Sequence, residues 1–329
     1  MSNQLIKVAT AIYQKHITKQ GKPLKKSSIN SMLKYITTIA NHTDFEAQST
    51  TFLKQTEGII QFVDDNYKDP RNAYSAIVTL LKGRRGFKNI TPIYRAKMMK
   101  GIKEHESKQE ENKVPEVLEG RLDELEWTVL GKRVTTSLKK KLNKILKTGG
   151  SHKAIMNLYE LYIFSLLIFK AGFLERLSYR TFKIITSLSQ KNEDINQIKG
   201  NTMWWNDYKN VGAYGKMVKK LPVSITKEIK KYIAFKNNKE YLFYNEKFVT
   251  EDLHKAYTSK EFTKLPTRMM KVAGVSGRFI MNDLRRLFVR YNMTRPSYEP
   301  LDDKQRNKLH ITKEFHNLKM ARRTYRMAA

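Results

Sequence analysis

Cysteine is missing from all 329 residues, which excludes disulfides, thiolate nucleophiles and Cys-ligated zinc. Proline and glycine are scarce, at 8 and 15, and 40% of the chain is hydrophobic, so it can bury a real core and is no disordered basic tail. A long apolar run is also lacking. The most hydrophobic stretch, LYELYIFSLLIFKAGFL at 158–174, is interrupted by Glu160 and Lys170 and reads as a buried helix rather than a membrane span. The first residues, MSNQLIKVATAIYQKH, do not contain the apolar run of a signal peptide.

Acid is in short supply. Against 63 Lys and Arg stand 31 Asp and Glu, a formal charge of +32 spread over both halves, so the natural partner is a polyanion, nucleic acid foremost. The basic runs are not read as a targeting signal; SLKKKLN at 137–143 is read as a solvated helix face.

Periodicity predicts a mainly α chain with one small β-sheet. In SSINSMLKYITTIA, Ser27 or Ser28 is expected to cap a helix whose apolar positions are Ile29, Met32, Leu33, Ile36 and Ile39. FLKQTEGIIQFVDDNY and RNAYSAIVTLLKG repeat the pattern, broken at Asp69-Pro70. Residues 1–105 are thus expected to form a helical domain and 106–121, charged and containing Pro115, a linker. In 122–329, helices are expected at 122–147, 152–174, 224–235, 250–264 and 280–292. TMWWNDYKN and KMVKKLPV around VGAYG read as a hairpin.

Several polar positions stand out: Arg176, Lys209, Asn282, Arg285, His316 and Tyr325. Each has a plain structural explanation. Arg176 and Arg180 can be the solvated end of a long helix, Lys209 one more hairpin lysine, Arg285 and Arg286 nonspecific phosphate grips, His316 a helix-end histidine and Tyr325 a docked aromatic.

Taken together they are the inventory of phosphoryl transfer. Attack on a phosphodiester builds negative charge on the nonbridging oxygens, which two guanidinium forks bond in pairs without losing a proton. A tyrosine hydroxyl, with a pKa of about 10, needs in-line placement and a positive field, which Arg322, Arg323 and Arg326 supply around Tyr325. A lysine can protonate the departing 5′ oxygen, and a histidine or asparagine can donate to a phosphate oxygen. No metal or cofactor is required. Asn282 and Arg285, spaced i, i+3, share one helix face. His316 and Tyr325, nine apart, fall on opposite faces of a straight helix, so the chain must turn if both serve one site.

At these residues the chain resembles the tyrosine recombinases, or phage-type integrases, whose catalytic order is Arg, an acid, Lys, His-x-x-Arg, His or Trp, then Tyr. Here that order reads Arg176, Lys209, Asn282-Asp283-Leu284-Arg285, His316 and Tyr325. The match is closest to a divergent branch in viruses and mobile elements of eukaryotes, carried by ERLSYRTFKI, DYKNVGAYGKMVKKLP and NDLRR. It covers about 120–329, and more weakly 1–100.

The resemblance implies a core-binding domain followed by a catalytic domain clamped around double-stranded DNA as a homotetramer. It implies Arg176 and Arg285 as the phosphate clamp, Lys209 as general acid, His316 as a donor and Tyr325 as the nucleophile. Arg180, Lys216, Arg286, Arg322 and Arg323 are the expected DNA contacts. Arg180 is the alternative to Arg176, and Lys216 to Lys209.

Three positions depart from the pattern. Asn282 replaces the first His, Arg286 follows Arg285 where His is usual, and Tyr179 stands where a carboxylate is expected, with Glu175 on the other side of Arg176. A type IB topoisomerase and a DNA-binding relative without activity are the competing functions.

Overall fold

The computed structural model describes the chain apart from residues 1–2, 19–20, 22, 25, 43–48, 111–114, 176–177, 209, 238, 244–256, 299 and 315–329. It divides into two compact units, Met1–Glu111 and Asn112–Ala329.

The first unit is helical: α1 (Asn3–Lys15), α2 (Lys26–Ala40), α3 (Thr56–Asn66), α4 (Arg71–Leu81) and α5 (Thr91–Glu110). The expected breaks hold because they are local chemistry. Pro70, with no N–H to lose, sits at the entrance of α4, and Asp69 beside it accepts from Arg71 at 2.8 Å. α4 is the central helix, with Ala73, Tyr74, Ala76, Ile77, Leu80 and Leu81 buried. Two buried tyrosines of this core reach backbone acceptors: the Tyr13 hydroxyl donates to the Ala76 carbonyl (3.0 Å) and that of Tyr94 to Leu53 (2.8 Å). Two details differ from expectation. α2 begins at Lys26, so Ser27 and Ser28 fall inside its first turn rather than capping it, and α5 continues through 106–110 of the stretch read as a linker.

The second unit opens on α6 (Trp127–Thr148) and α7 (His152–Ser165). Glu126 caps α6 by accepting from the Val129 amide (2.8 Å), and Gly149 ends it at φ 76°, a conformation that costs a residue without Cβ nothing. α7 runs on as one π-turn, Leu166–Lys170. The hydrophobic stretch is buried, as read from the sequence, and no helix among the described residues is long and apolar enough to cross a membrane.

A four-stranded sheet follows, in order β1 (Lys183–Ile184), β2 (Gln197–Lys199), β3 (Thr202–Trp205) and β4 (Met217–Lys220). β1 pairs parallel with β2; the others are antiparallel. β3 and β4 are the expected hairpin, with a short helix, α8 (Val211–Tyr214), in their connection. β1 and β2 escaped the sequence reading because two or three residues are too few to show alternation. The helices α9 (Val223–Phe235), α10 (Ser259–Phe262), α11 (Leu265–Val272), α12 (Met281–Thr294) and α13 (Asp303–Glu314) complete the unit. Of the helix expected at 250–264, residues 250–256 lie outside the described residues, and within the rest the helix is confined to Ser259–Phe262.

The loop between α11 and α12 is pinned by cations. Arg121 donates to the Ser276 carbonyl (3.0 Å), Arg133 to Gly274 (2.9 Å) and Lys141 to Val272, while Thr267 donates to Phe279 (2.7 Å). These bonds fix where α12 starts, and with it which residues α12 turns inward.

Candidate active site

α12 buries Leu284, Leu287 and Phe288 in the core of the unit, and the same turn carries Arg285 in with them, 5% exposed. A buried guanidinium must be bonded to be tolerated. Arg285 donates Nε–H to the carbonyl of Leu174 at 2.6 Å, across 111 residues of sequence.

The π-turn makes that carbonyl available. Its wide ring is closed by the Ala171 amide on the Leu166 carbonyl (3.0 Å); past Gly172, φ 68°, the Phe173 amide reaches back to the Leu167 carbonyl (3.0 Å), so the chain leaves the helix axis just before Leu174. Two residues further on stands Arg176, outside the described residues. The backbone run-in to the first arginine of the expected clamp is therefore in direct contact with the second.

Two neighbours complete this corner. Glu175 is 3% exposed, and its carboxylate accepts from the Ser178 amide at 2.7 Å. Tyr179 is wholly buried among Phe164, Phe182, Trp205 and Phe243, and its hydroxyl donates to the Phe173 carbonyl at 2.7 Å. Burial holds its phenol well above the usual value; the charge of Glu175 adds to the shift and that of Arg285 opposes it. Tyr179 is thus a core residue, whereas Glu175, on the other side of Arg176 in sequence, puts a carboxylate close enough to feel the same phenol as Arg285 does.

Tyr179→Phe should cost about 1–3 kcal/mol by removing the buried bond to the Phe173 carbonyl. Tyr179→Glu, which puts an acid at the spacing the resemblance implies, should fail to fold because it buries an unpaired charge among aromatic rings. Thermal melts of both variants check this, and a stable Tyr179→Glu protein would contradict it.

One turn before Arg285, Asn282 has its side-chain oxygen buried with no hydrogen bond. Such an orphan in a folded interior calls for an explanation. Beside it, Asp283 accepts from the Ile280 amide (2.8 Å) at the start of α12. Burial raises its carboxyl, against the Ile280 amide and the charge of Arg286, which lower it. An acid whose folded pKa is raised binds its proton more tightly folded than unfolded, so its contribution to stability is lost as pH rises from 3.8 through the raised value. Asp283→Asn should therefore gain on the wild type in melting temperature as pH climbs above that point. Parallel melting curves across the range would rule the account out.

Of the remaining expected residues, Arg180, Arg286 and Lys216 are described. Arg180, on the 3-10 turn Ser178–Thr181, donates to the Tyr257 carbonyl (3.4 Å), and the Tyr257 hydroxyl in turn bonds the buried Glu160 at 2.5 Å. Arg286 is half-buried next to Asp283. Lys216 is exposed and pairs with Glu193 at 3.3 Å, a surface contact worth little. Arg176, Lys209, His316, Tyr325, Arg322 and Arg323 lie outside the described residues. The structure brings Arg285, Asn282 and the approach to Arg176 together.

Sequence reasoning missed Lys219. It pairs with Met203 on the inward face of β4, 8% exposed, with Nζ 4.6 Å from the Phe173 ring centroid and 5.6 Å from that of Trp205, while Val218 faces out at 62%. An inward charge on an edge strand discourages pairing with another chain. Alternation alone predicts the opposite parity, so the sequence carried no signal for it.

No protein-family model matches the chain, and no curated protein does. Among solved structures, a crystal structure of XerA recombinase aligns with 94% of this chain and 98% of its own at 10% identity, with a TM-score of 0.32. A likeness that low is no basis for an activity.

Proposed function

We propose that the protein is a site-specific DNA recombinase of the tyrosine type, an integrase of the branch found in viruses and mobile elements. It cuts and rejoins DNA strands through a covalent 3′-phosphotyrosyl intermediate. Tyr325 attacks the scissile phosphorus, the bond to the 5′ oxygen breaks, and Lys209 protonates that oxygen. Arg176 and Arg285 hold the nonbridging oxygens, with Asn282 and His316 donating to them. Attack by the 5′ hydroxyl of a partner strand reverses the step on the new strand, in a homotetramer on paired sites. No step calls for a metal ion or a cofactor.

The observation that carries this reading is the bond from Arg285 to the Leu174 carbonyl, which joins α12 to the run-in of Arg176. A clamp needs two guanidiniums from distant segments within reach of one phosphate. The charge of +32 supplies the attraction for duplex DNA.

The test is covalent capture on a nicked duplex of candidate site sequence, which lets the cut fragment diffuse away and strands the intermediate. A protein–DNA adduct whose phosphotyrosine maps to Tyr325 is the expected result. Tight binding to that duplex without any adduct would leave a DNA-binding relative instead.

A further inference from the structure

A cavity of about 450 Å³ opens between the first turns of α6, the π-turn and the C-terminal half of α12. Its floor is aromatic: Trp127 lies 4.7 Å from Phe169 and 4.9 Å from Phe288, and Phe288 is 6.2 Å from Tyr291. Phe169 and Tyr291 are only half-buried, so part of each ring is open to the cavity. Its rim is cationic, with Lys132, Lys170 and Arg295 lining it and no Asp or Glu among the described lining residues. The acid beside it, Glu126, is engaged in capping, accepting from Thr128 at 2.5 Å and from the Val129 amide.

Arg295 stands on this rim at the C-terminal end of α12. Its guanidinium stands 5.9 Å from the Tyr291 ring centroid, and its Nε is buried with no hydrogen bond. A buried guanidinium N–H without an acceptor, at the edge of a cavity without acid, calls for an anion. The volume is in the range of small-ligand sites, and the half-open rings suit a flat partner.

We propose that this cavity binds a nucleoside monophosphate unit. The phosphate lies against Lys132, Lys170 and Arg295 and the base against Phe169 and Tyr291. Base stacking on aromatic rings beside basic side chains is the usual chemistry of single-strand recognition. The chain's own residues 315–329 are a poor electrostatic match, since they contain Lys319, Arg322, Arg323 and Arg326 and no acid. The unit can be a free nucleotide or the phosphorylated end of a strand. The inference does not rest on strand transfer, because none of these residues belongs to the proposed catalytic set.

The experiment is calorimetric titration of the full chain with dAMP, deoxyadenosine and inorganic phosphate. dAMP is expected to bind with a Kd below ~1 mM, and each half-ligand at least ~10-fold more weakly. Arg295→Gln and Lys132→Gln should each weaken dAMP about 10-fold. Lys227→Gln, an exposed control on α9, should leave it unchanged. A 5′-phosphorylated tetranucleotide separates the sources. If its advantage over dAMP vanishes with Arg295→Gln, the strand end is the ligand; if the advantage persists, the free nucleotide is. dAMP binding no tighter than phosphate, or unchanged in both cavity variants, would overturn the proposal.

Discussion

Tyr325→Phe should remove every covalent protein–DNA adduct while leaving DNA binding at the wild-type level. The change deletes one oxygen and keeps the ring, so nothing but the proposed nucleophile is lost. Arg322, Arg323 and Arg326 flank this phenol in sequence, whereas phenylalanine has no group to attack phosphorus. The loss should reach the background of the uncatalysed reaction, at least ~10⁴-fold, because the ring that remains has no oxygen to attack phosphorus. Denaturing gels of a labelled nicked duplex read the adduct, and mobility shift reads binding. A persisting adduct would move the nucleophile elsewhere. Equal loss of binding would mean that the aromatic tip serves contact rather than chemistry.

Arg285→Ala is the second large effect, and it strikes fold and chemistry together. Removing one preorganised donor from a developing oxyanion costs roughly 10²–10³ in rate. The same change leaves the Leu174 carbonyl buried and unpaired, at about 1–3 kcal/mol of stability. Arg285→Lys separates the two. An ammonium can still donate to Leu174, so most stability should return, yet a point charge cannot bond two phosphate oxygens as a planar fork does. The expected pattern is a melting temperature near that of the wild type with adduct formation still depressed at least ~10-fold. Recovery of both by lysine would make Arg285 a structural residue.

Much of the first unit is legible in its residues, because what writes it is local. The apolar positions of α2 and α4 recur at helical spacing, and Asp69-Pro70 marks the break before α4. The hairpin of β3 and β4 is legible from its two apolar-aromatic runs around a glycine, and the cation excess is a plain count. Boundaries were less secure: α2 starts ahead of its serines, and α7 gives way to a π-turn before residue 174, where periodicity predicts helix throughout.

Within the site, the residue types and their order came from the sequence, and so did the shared face of Asn282 and Arg285, since three residues make most of a helical turn whatever surrounds them. The tertiary structure alone decided which charges go inside. Arg285 is buried because a carbonyl 111 positions away is waiting for its Nε, Glu175 because the chain after the π-turn tucks it beside Tyr179, and Lys219 because pairing with Met203 sets its parity. Composition and periodicity are sums over neighbours in the chain, whereas these placements depend on desolvation and bonding between segments that meet only when the second unit is folded.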